Sequence, residues 1–344
     1  MITEVAAAAG FPYNAVVPAP NCAPISATTR YCAVYGHPVG HSASPALQNA
    51  GLQSLRLDWR YLAFDVQPAD LRSAINGAKA MKFVGLNLTV PHKLPALEMM
   101  DALDDSAVRW GAVNTVRFET PGQSGQWVSL ATVPPHQITE VRAQGFNTDA
   151  EAVIRALRED LALNPEGAVV LLLGAGGAGR VAALRLAAAG VRALFLQNRT
   201  PSHAEKLRLE LLERFPRLAV TVGYPPDEVD LILNTTSLGL KADDPLPLEP
   251  DRFPIGQARA VFDMVYRPAE TRLLREAKAL GCRTANGLGM LLYQGARALE
   301  LWSGQTAPVE LMRRALTETV YADCPGGPET APGRAHHASA SRPA

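Results

Sequence analysis

Cysteine is scarce in the 344-residue sequence, and its distribution excludes two common uses of the residue. The four cysteines, Cys22, Cys32, Cys282 and Cys324, are scattered and form neither a C-x-x-C pair nor another spacing that holds a metal. A disulfide framework and a structural zinc site are therefore not expected. Thiols without such a framework are typical of a reducing compartment, and we expect a cytoplasmic location.

The sequence also has no excess of charge of either sign, with 33 basic and 33 acidic side chains. Proteins that bind nucleic acid or anionic membrane surfaces usually carry a basic patch, so neither partner is expected. A balanced total still allows a small anionic ligand, because a few local groups suffice to hold one. Internal repeats of about 20 to 50 residues are absent as well, which excludes a repeat architecture.

Long apolar runs suited to a membrane are missing too. The longest uncharged stretch, Val5–Thr29, contains four prolines, which are incompatible with a spanning helix. Glu4 is the only charged residue before this stretch, so the basic start of a secretory signal is absent. These features predict a soluble intracellular protein.

What the sequence does contain is enough apolar material, 47% of its residues, for two folded domains at roughly 150 residues each. Residues 1–29 are rich in alanine and proline, and residues 323–344 form a polar Gly/Pro/Ser tail. Both segments are predicted to be disordered. In the first half, aromatic and β-branched runs predict strands, and proline-led segments predict helices. The strands are Tyr31–Tyr35, Asp58–Phe64, Phe83–Leu88 and Val113–Phe118, and the helices are Pro68–Met81 and Pro95–Val108.

The second half alternates more regularly between strands and helices. Ala168–Leu173 is a continuous apolar run, as expected for a parallel strand buried on both faces. A helix to about Ala189 follows it, and a later helix begins at Thr200-Pro201 and runs to about Phe215. This alternation predicts a doubly wound parallel sheet. Its other strands are predicted at Arg192–Gln197, Leu218–Val222, Val229–Asn234 and Ala260–Val265.

Residues 174–179 read GAGGAG and match the G-x-G-x-x-G pattern between a predicted strand and a predicted helix. Gly174 allows the tight turn, Gly176 lets the backbone approach a pyrophosphate, and Gly179 lets the helix and the strand pack closely. The helix start then offers unpaired N–H groups to the anion. Ala175, Gly177 and Ala178 complete the predicted dinucleotide-binding loop. A glycine-rich turn without a ligand is the alternative interpretation.

The end of the next strand predicts which dinucleotide binds. A site for NAD usually has a carboxylate about 20 residues after the glycines, where it binds the ribose 2′-hydroxyl. This chain instead has Asn198-Arg199-Thr200, and Arg199 offers a planar cation to a 2′-phosphate. The prediction is NADP(H), and the alternative is that Arg199 is only a solvated loop residue.

Eight short blocks follow one another along the chain. They are GHPVGHSASP (36–45), GLNLTVPHK (85–93), GAVNT (111–115), GFNTD (145–149), GAGGAG (174–179), NRT (198–200), DMVYRP (263–268) and GLGMLLYQ (287–294). In this order they resemble the shikimate dehydrogenase family over about residues 31 to 320. One such block could arise by chance, but eight in family order, with the dinucleotide pattern in its place, are a specific signal. The resemblance implies a reversible reduction of 3-dehydroshikimate to shikimate by NADPH.

The resemblance implies that Lys93 is the general acid–base group and that Asp149 is its partner. Lys93 lies just beyond Pro91, which ends the predicted strand and exposes the residues after it. A lysine transfers protons well only if its surroundings tune its proton affinity. Alone, Lys93 would be interpreted as a surface lysine, and Asp149 as a helix cap.

The remaining site residues also follow from the resemblance. Hydroxyl, amide and phenol groups suit a polyhydroxylated ring with a carboxylate. Ser42 and Ser44 are predicted to lie in a Gly/Pro-bounded loop, where turn capping is the alternative role. The predicted substrate contacts are Ser42, Ser44, Thr89, Asn114, Tyr266 and Gln294, and further cofactor contacts are Met264, Gly287 and, more weakly, Asp105. No metal is expected, because the His37–His41 pair has helical spacing but lies in a Pro/Gly loop.

The sequence departs from the family pattern at several positions. Gln48-Asn49 stands where relatives usually have His-Asn, and Ala150 replaces a common glycine. His203 occupies a position where some relatives have a second cation for the 2′-phosphate, and Lys206 could compensate. An extra segment near Pro121–Val141 is predicted to extend a hairpin, which could cover the cleft or form an intersubunit contact.

The predicted fold is α/β, with an N-terminal α/β substrate-binding domain, a Rossmann-type NADP-binding domain and a cleft between them. The first domain is expected to comprise residues 30–150 and helices of 289–320, and the second residues 151–288. A monomer or a homodimer is expected. Alternatives are a dehydrogenase for quinate or an aminated shikimate analogue, or a non-catalytic ligand sensor.

Overall fold

The computed structural model describes residues 24–322. Most of the predicted N-terminal extension, residues 1–23, and the whole predicted tail, 323–344, lie outside the described residues, as do Cys22 and Cys324. No helix within the described range is long and apolar enough to cross a membrane.

The first half of the chain forms a mixed sheet of seven strands. Its order is β2-β1-β3-β5-β7-β4, with the short β6 paired to β5. β1 pairs in parallel with β2 and β3, whereas β5 runs antiparallel to β3 and β7. The elements are β1 (Arg30–Gly36), α1 (Ser44–Ser54), β2 (Trp59–Asp65), α2 (Leu71–Ala80), β3 (Gly85–Leu88), β4 (Ala102–Leu103), α3 (Asp105–Trp110), β5 (Thr115–Pro121), β6 (Trp127–Ser129), β7 (Arg142–Phe146) and α4 (Asp149–Leu161).

The second half forms a parallel sheet of six strands in the order β10-β9-β8-β11-β12-β13. This is the doubly wound order that binds dinucleotides, and it confirms the predicted Rossmann-type domain within an α/β fold. The VVLLL sequence of the central strand is buried throughout, as a strand covered on both faces requires. The elements are β8 (Val169–Leu173), α5 (Gly177–Ala188), β9 (Ala193–Gln197), α6 (Pro201–Arg214), β10 (Ala219–Val222), β11 (Leu231–Asn234), β12 (Ala260–Asp263), α7 (Arg272–Ala279) and β13 (Arg283–Asn286).

The last two helices, α8 (Leu288–Ser303) and α9 (Val309–Tyr321), return to the first sheet. Both pack on α1, and α8 also packs along α4. A side chain at Gly51 of α1 would overlap Leu299 of α8, so the small residue lets the two helices approach. One continuous apolar cluster, which includes Trp59, Leu172 and Trp302, joins both sheets.

The prediction of one continuous helix over Pro95–Val108 is wrong. A short 3-10 segment covers Pro95–Met99, the chain then extends into β4, and α3 begins only at Asp105. Two aspartates explain the break, since Asp101 accepts a hydrogen bond from the Ala143 amide at 2.7 Å and Asp104 caps α3 by accepting one from the Ser106 amide at 2.9 Å. Such side-chain bonds to the backbone compete with a continuous helix.

The extra segment near 121–141 does extend a hairpin, formed by β5 and β6. Thr115 begins β5, and the hairpin lies at the other end of that strand. Within the hairpin segment, the Val133 carbonyl accepts a hydrogen bond from Arg30 at the start of β1. Ser129 donates a hydrogen bond of 2.8 Å to the Trp302 carbonyl of α8. The segment therefore does not cover the cleft described below, which excludes the first of its two predicted roles.

Gly85 is expected to be indispensable for the packing of Trp302. A Cβ at Gly85 would overlap the buried indole, whose Nε1 donates a hydrogen bond of 2.9 Å to the Val116 carbonyl. We expect Gly85→Ala to lower the free energy of unfolding by about 1–3 kcal/mol, as overpacked cores do. Thermal or urea unfolding followed by circular dichroism measures the loss.

The matched control is Gly77→Ala, within α2, where only the far end of Met81 lies near the added methyl group. Removing a glycine from a helix interior stabilises it by up to about 1 kcal/mol. Equal stability of the two variants would contradict the packing assignment.

Candidate active site

A cleft lies where the carboxyl end of β3 faces the start of α5. Its empty volume, which includes space open to solvent, is about 830 Å³. Its lining joins segments that are remote in sequence and includes the predicted site residues Lys93, Asp149, Gly177, Ala178 and Met264. The full lining is Val90, Pro91, Lys93, Leu94, Ala112, Asp149, Val153, Gly177, Ala178, Val181, Ala182, Met264 and Met290.

Lys93 and Asp149 form an ion pair on the wall of this cleft. The Lys93 Nζ donates a hydrogen bond of 2.7 Å to the Asp149 Oδ2, and the lysine side chain is 34% exposed against 11% for the aspartate. Lys93 is held by its backbone as well, since its carbonyl accepts from the Val113 amide at 2.9 Å. The lysine is thus fixed at one end and still open to the cleft at the other.

Asp149 is the first residue of α4, where the helix dipole favours a negative charge. It does not cap the helix, because Asn147 instead accepts a hydrogen bond of 3.1 Å from the Ala150 amide. Both carboxylate oxygens point elsewhere, one to Lys93 and the other to Asn114, whose Nδ2 donates at 2.8 Å. The capping alternative for Asp149 is therefore wrong, and the carboxylate is oriented by two donors.

Asn114 is buried behind this pair, and its own orientation is fixed. Its Oδ1 accepts a hydrogen bond of 2.7 Å from the Thr148 amide, while its Nδ2 also lies 2.9 Å from the Thr148 Oγ1. The adjacent Thr115 hydroxyl lies 3.1 Å from the Thr148 hydroxyl. The amide thus cannot rotate without breaking several hydrogen bonds, and it holds Asp149 still.

Asn87 extends the same network and was missed in the sequence analysis. It is buried near the end of β3, accepts a hydrogen bond of 2.7 Å from the Tyr61 hydroxyl and donates one of 3.1 Å to the Thr115 Oγ1. Burial raises the pKa of Tyr61 well above its ordinary value, so the phenol stays a neutral donor. The sequence feature that could have indicated Asn87 is its position as a lone amide in the apolar strand GLNL, two residues before Thr89.

The predicted serine loop differs from the expectation at one position. Ser44 is not in a loop but is the buried first residue of α1, since Pro45 at the next position suits a helix start. Ser42 does lie in the preceding loop, and its Oγ accepts a weak hydrogen bond of 3.3 Å from the Ser44 amide. Neither serine belongs to the cavity lining.

The other four predicted substrate contacts, Thr89, Asn114, Tyr266 and Gln294, also lie outside that lining. Thr89 directly follows β3, and its amide donates to the Tyr35 carbonyl at 2.9 Å. Gln294 is buried in α8, with its Nε2 donating to the Leu291 carbonyl at 2.9 Å. Burial raises the pKa of Tyr266 after β12.

The glycine loop has the geometry that a dinucleotide site requires. Gly174 adopts a φ of +103°, and a Cβ on Gly179 would overlap the Gly174 carbonyl oxygen. A Cβ on Gly176 or Gly177 would meet nothing within 4 Å, so the space above the helix start is open. Asn198 orients the loop by accepting a hydrogen bond of 2.9 Å from the Ala175 amide.

The residues after β9 present cations to solvent beside this loop. Arg199 and Thr200 are exposed, and so are His203 and Lys206 on the first turns of α6. Among the described residues, Arg199 makes no side-chain hydrogen bond or ion pair. No carboxylate stands between Gln197 and Thr200, so the end of the strand carries a net positive charge.

Comparison with known proteins identifies the family. The family model for the shikimate dehydrogenase substrate binding domain matches residues 34–116, and that for the shikimate 5′-dehydrogenase C-terminal domain matches residues 287–317. A protein of Methanopyrus kandleri named shikimate dehydrogenase (NADP(+)) is 41% identical over 303 residues, covering 86% of this chain and 97% of that protein. The chain belongs to the shikimate dehydrogenase family.

Solved structures of related proteins superpose on the chain. The shikimate 5-dehydrogenase of Thermus thermophilus, in complex with NADP(H) and shikimate, is 37% identical, with a TM-score of 0.68 over 83% of this chain and 98% of that one. The quinate dehydrogenase of Corynebacterium glutamicum, in complex with NAD, is 28% identical, with a TM-score of 0.69 over 83% and 98%. The shared fold is thus found with different substrates and cofactors.

Two of the remaining cofactor residues predicted from the shikimate dehydrogenase family resemblance lie together. Met264 lines the cleft, and Gly287 packs so closely on the Met264 backbone that a Cβ would overlap its carbonyl oxygen. Asp105 is on the exposed first turn of α3 and outside the cavity lining, which favours a plain charge on the helix surface over a cofactor contact.

Asp263 directly precedes Met264 and was not predicted as a site residue. The carboxylate is fully buried at the end of β12 and accepts hydrogen bonds from the Val265 amide at 3.0 Å, Asn234 at 2.9 Å and Thr271 at 2.7 Å. Burial raises its pKa despite these donors. Asp263 therefore joins the ends of β11 and β12 to the start of α7.

The histidines form no metal centre within residues 24–322, which contain no cluster of three or more His, Cys, Asp or Glu suited to a cation. His37 instead contacts Asp65, with its Nδ1 at 2.6 Å from the carboxylate. His92, next to Lys93, is fully buried, and its Nε2 lies 2.8 Å from the Val66 carbonyl oxygen. Within residues 24–322, the Nδ1 of His92 has no hydrogen-bond partner.

Burial lowers the pKa of His92 from its ordinary value of 6.5; the hydrogen bond to the Val66 carbonyl and the Asp65 charge oppose this shift, and His37 adds to it. As pH falls below about 6.5, the unfolded chain therefore binds a proton that the folded protein resists, and stability is lost. We expect His92→Gln, which keeps a donor for the Val66 carbonyl, to reduce the fall in melting temperature between about pH 7.5 and 5.5.

The control for this measurement is His136→Gln, which replaces an exposed histidine. This variant is expected to follow the wild-type curve. An unchanged pH slope in His92→Gln would show that the imidazole is not the titrating group.

Proposed function

We propose that the protein is an oxidoreductase that reversibly reduces 3-dehydroshikimate to shikimate with NADPH. The observation that most directly supports this proposal is that the Lys93–Asp149 pair lines the same cleft as the glycine loop of the dinucleotide site. The named activity of the relatives and the NADP(H)–shikimate complex of the Thermus thermophilus protein support the same substrate and cofactor.

In this proposal Lys93 transfers the proton. Bound NADPH supplies the hydride to the carbonyl carbon. The Lys93 ammonium gives a proton to the carbonyl oxygen, so ketone, hydride and proton yield the alcohol, and in the reverse direction the neutral amine takes the hydroxyl proton. Asp149 keeps the ammonium aimed at the cleft, and Asn114 keeps Asp149 from rotating away.

The substrate would be held by neutral groups around this pair. Ser42 and Ser44 offer hydroxyls to its carboxylate, and Thr89, Asn114, Tyr266 and Gln294 offer hydroxyl, amide and phenol groups to the ring hydroxyls. Asn87 joins this set, because it lies between Tyr61 and Thr115 in the same network. Residues that lie outside the cavity lining would approach the substrate as the two sheets close on it.

The glycine loop fits a pyrophosphate, and the end of β9 fits a 2′-phosphate. The open space above Gly176 and Gly177 leaves the N–H groups of α5 free to bind the anion. Arg199, with Asn198 and Thr200 beside it, offers charge-assisted hydrogen bonds to the additional phosphate, and Lys206 adds charge. Met264, packed on Gly287, would contact the nicotinamide end.

We further assign residues 30–150, together with the helices of 289–320, to the substrate-binding domain and residues 151–288 to the cofactor-binding domain. The packing of α8 and α9 on α1 supports this division. A cytoplasmic monomer or homodimer is proposed. The Lys93–Asp149 pair is intact, which argues against a non-catalytic sensor built on the same fold.

Replacing Lys93 with methionine should remove the proton donor while keeping the length of the side chain. We expect Lys93→Met to lower kcat by about 100- to 10,000-fold, the range lost with a general acid–base group. NADPH affinity, measured by fluorescence titration, should stay within about twofold, because no contact to the nucleotide is removed.

The matched control is Lys79→Met, which removes a lysine of α2 that is paired with Asp101 and lies outside the cavity lining. It is expected to retain wild-type turnover. Near-normal turnover in Lys93→Met would contradict the assigned role.

A steady-state panel of shikimate and quinate, each with NADP and NAD, tests the proposal as a whole. We expect the wild type to prefer shikimate with NADP. In Arg199→Ala, the KM for NADP should rise about 10- to 100-fold, because a hydrogen bond to a charged group contributes about 1.5–3 kcal/mol. The KM for NAD should not change.

The control is Arg192→Ala, since Arg192 is exposed and precedes the opposite end of the same strand, β9. No turnover with any pair would favour the sensor alternative. Preferred turnover of quinate would reassign the substrate, and an unchanged KM for NADP in Arg199→Ala would overturn the phosphate contact.

A further inference from the structure

Two arginines of the cofactor-binding half bind one helix end of the substrate-binding half. Arg180, the residue directly after the GAGGAG motif, donates from its Nη1 to the Trp110 carbonyl at 2.9 Å. Arg214 of α6 donates to the neighbouring Arg109 carbonyl. Both acceptors lie at the carboxyl end of α3, whose last carbonyls have no partner within the helix.

A single carboxylate orients both guanidinium groups. Glu210 accepts from the Arg180 Nε at 2.8 Å and from its Nη2 at 2.6 Å, a two-point contact that fixes the plane of the guanidinium. The same Glu210 accepts from the Arg214 Nη1 at 3.4 Å. We refer to Arg180, Glu210 and Arg214 as the arginine clasp.

The carboxyl end of α3 has the space and the electrostatic polarity to accept the arginine clasp. Gly111 ends the helix with a φ of +62°, and a Cβ there would come within 3.1 Å of the Arg180 Nη2. The positive charge also lies at the negative end of the helix dipole. Trp110 is buried in the apolar cluster that joins both sheets, so the contact lies on a packed junction rather than on a loose surface.

In both halves of the protein, residues of the cleft lie next in sequence to residues that make or receive the arginine clasp. On the substrate side, Gly111 leads directly to Ala112 in the cleft lining and then to Asn114, which orients Asp149. On the cofactor side, Arg180 stands between Gly179 and Val181, and Val181 also lines the cleft. A shift of α5 against α3 would therefore change the distance between the nucleotide loop and the acid–base pair.

We propose that Arg180, oriented by Glu210, is a positioning residue that sets the cofactor helix α5 against the segment carrying Ala112 and Asn114. It touches neither reacting atom and acts through the two segments that it joins. Its kinetic role rests on the proposed function, because alignment matters only if a hydride crosses this cleft.

The test uses the full-length protein with Arg180→Met, which keeps an apolar stem and removes the hydrogen bonds. Misplacing reactants by about an ångström can cost up to about 100-fold, so we expect kcat to fall about 10- to 100-fold. The NADPH dissociation constant should stay within about twofold. The deuterium isotope effect on kcat with 4-deuterated NADPH should increase, because a misaligned hydride transfer becomes rate-limiting.

Three variants make the result specific. Arg208→Met removes a half-buried arginine whose ion pair within residues 24–322 is with Glu205 on the same helix, and it should behave as wild type. Glu210→Gln leaves Arg180 in place but weakens its orientation, and it should show a smaller loss of the same kind. Arg180→Lys keeps the charge without the planar fork and should recover part of kcat.

Hydrogen–deuterium exchange measures the contact without any turnover. Arg180→Met should speed exchange at the amides of residues 109–114 relative to Arg208→Met, while exchange in β8 stays the same. Unchanged exchange, or a kcat equal to that of Arg208→Met, would overturn the positioning role. If Arg180→Met does not fold, Glu210→Gln is judged by the same criteria. A wild type that turns over no shikimate overturns the proposed function alone, since the exchange result still stands.

Discussion

The ion pair between Lys93 and Asp149 is the interaction on which the rest of the site depends. A lysine ammonium is flexible and strongly hydrated, so it can deliver a proton to a chosen atom only if a fixed partner holds it. Asp149 is such a partner because it begins α4, where the helix dipole favours its charge, and because Asn114 fixes its second oxygen. The pair is buried enough to be ordered and exposed enough to meet a ligand.

Strand direction brings these groups together. β3 runs toward the cleft and ends before Thr89, β5 starts at the cleft just after Asn114, and β7 ends there just before Asp149. The antiparallel pairing of β5 with β3 and β7 thus places three loop segments at one edge of the sheet. The extra hairpin is far from the cleft for the same reason, since it joins β5 and β7 at their other ends.

The two halves of the cleft are held by different forces. A shared apolar cluster fixes where the sheets meet, but nondirectional packing tolerates small sliding movements. Directional hydrogen bonds at the end of α3, made by Arg180 and Arg214, restrict such sliding beside the cleft. The chain has no net charge, and the charges that bear on the proposed function are individual groups: Lys93 is paired with Asp149, Arg180 with Glu210, and Arg199 faces solvent.

By itself, the sequence determined the α/β class and the glycine loop with its cation, and the family resemblance of its motifs indicated the acid–base candidates. These are local matters, since periodicity, turn residues and short motifs act within a few residues. Only the tertiary structure decided that Pro95–Val108 breaks into β4 and α3, that Ser44 starts a helix, and that Asn87 joins the hydrogen-bond network of Asn114 and Thr115. Each of these depends on a partner remote in sequence: Asp101 needs the Ala143 amide, and Asn87 needs Tyr61 and Thr115. The arginine clasp could not be predicted from the sequence either, because Arg180 and Arg214 contact the end of α3 only once the two sheets have packed together.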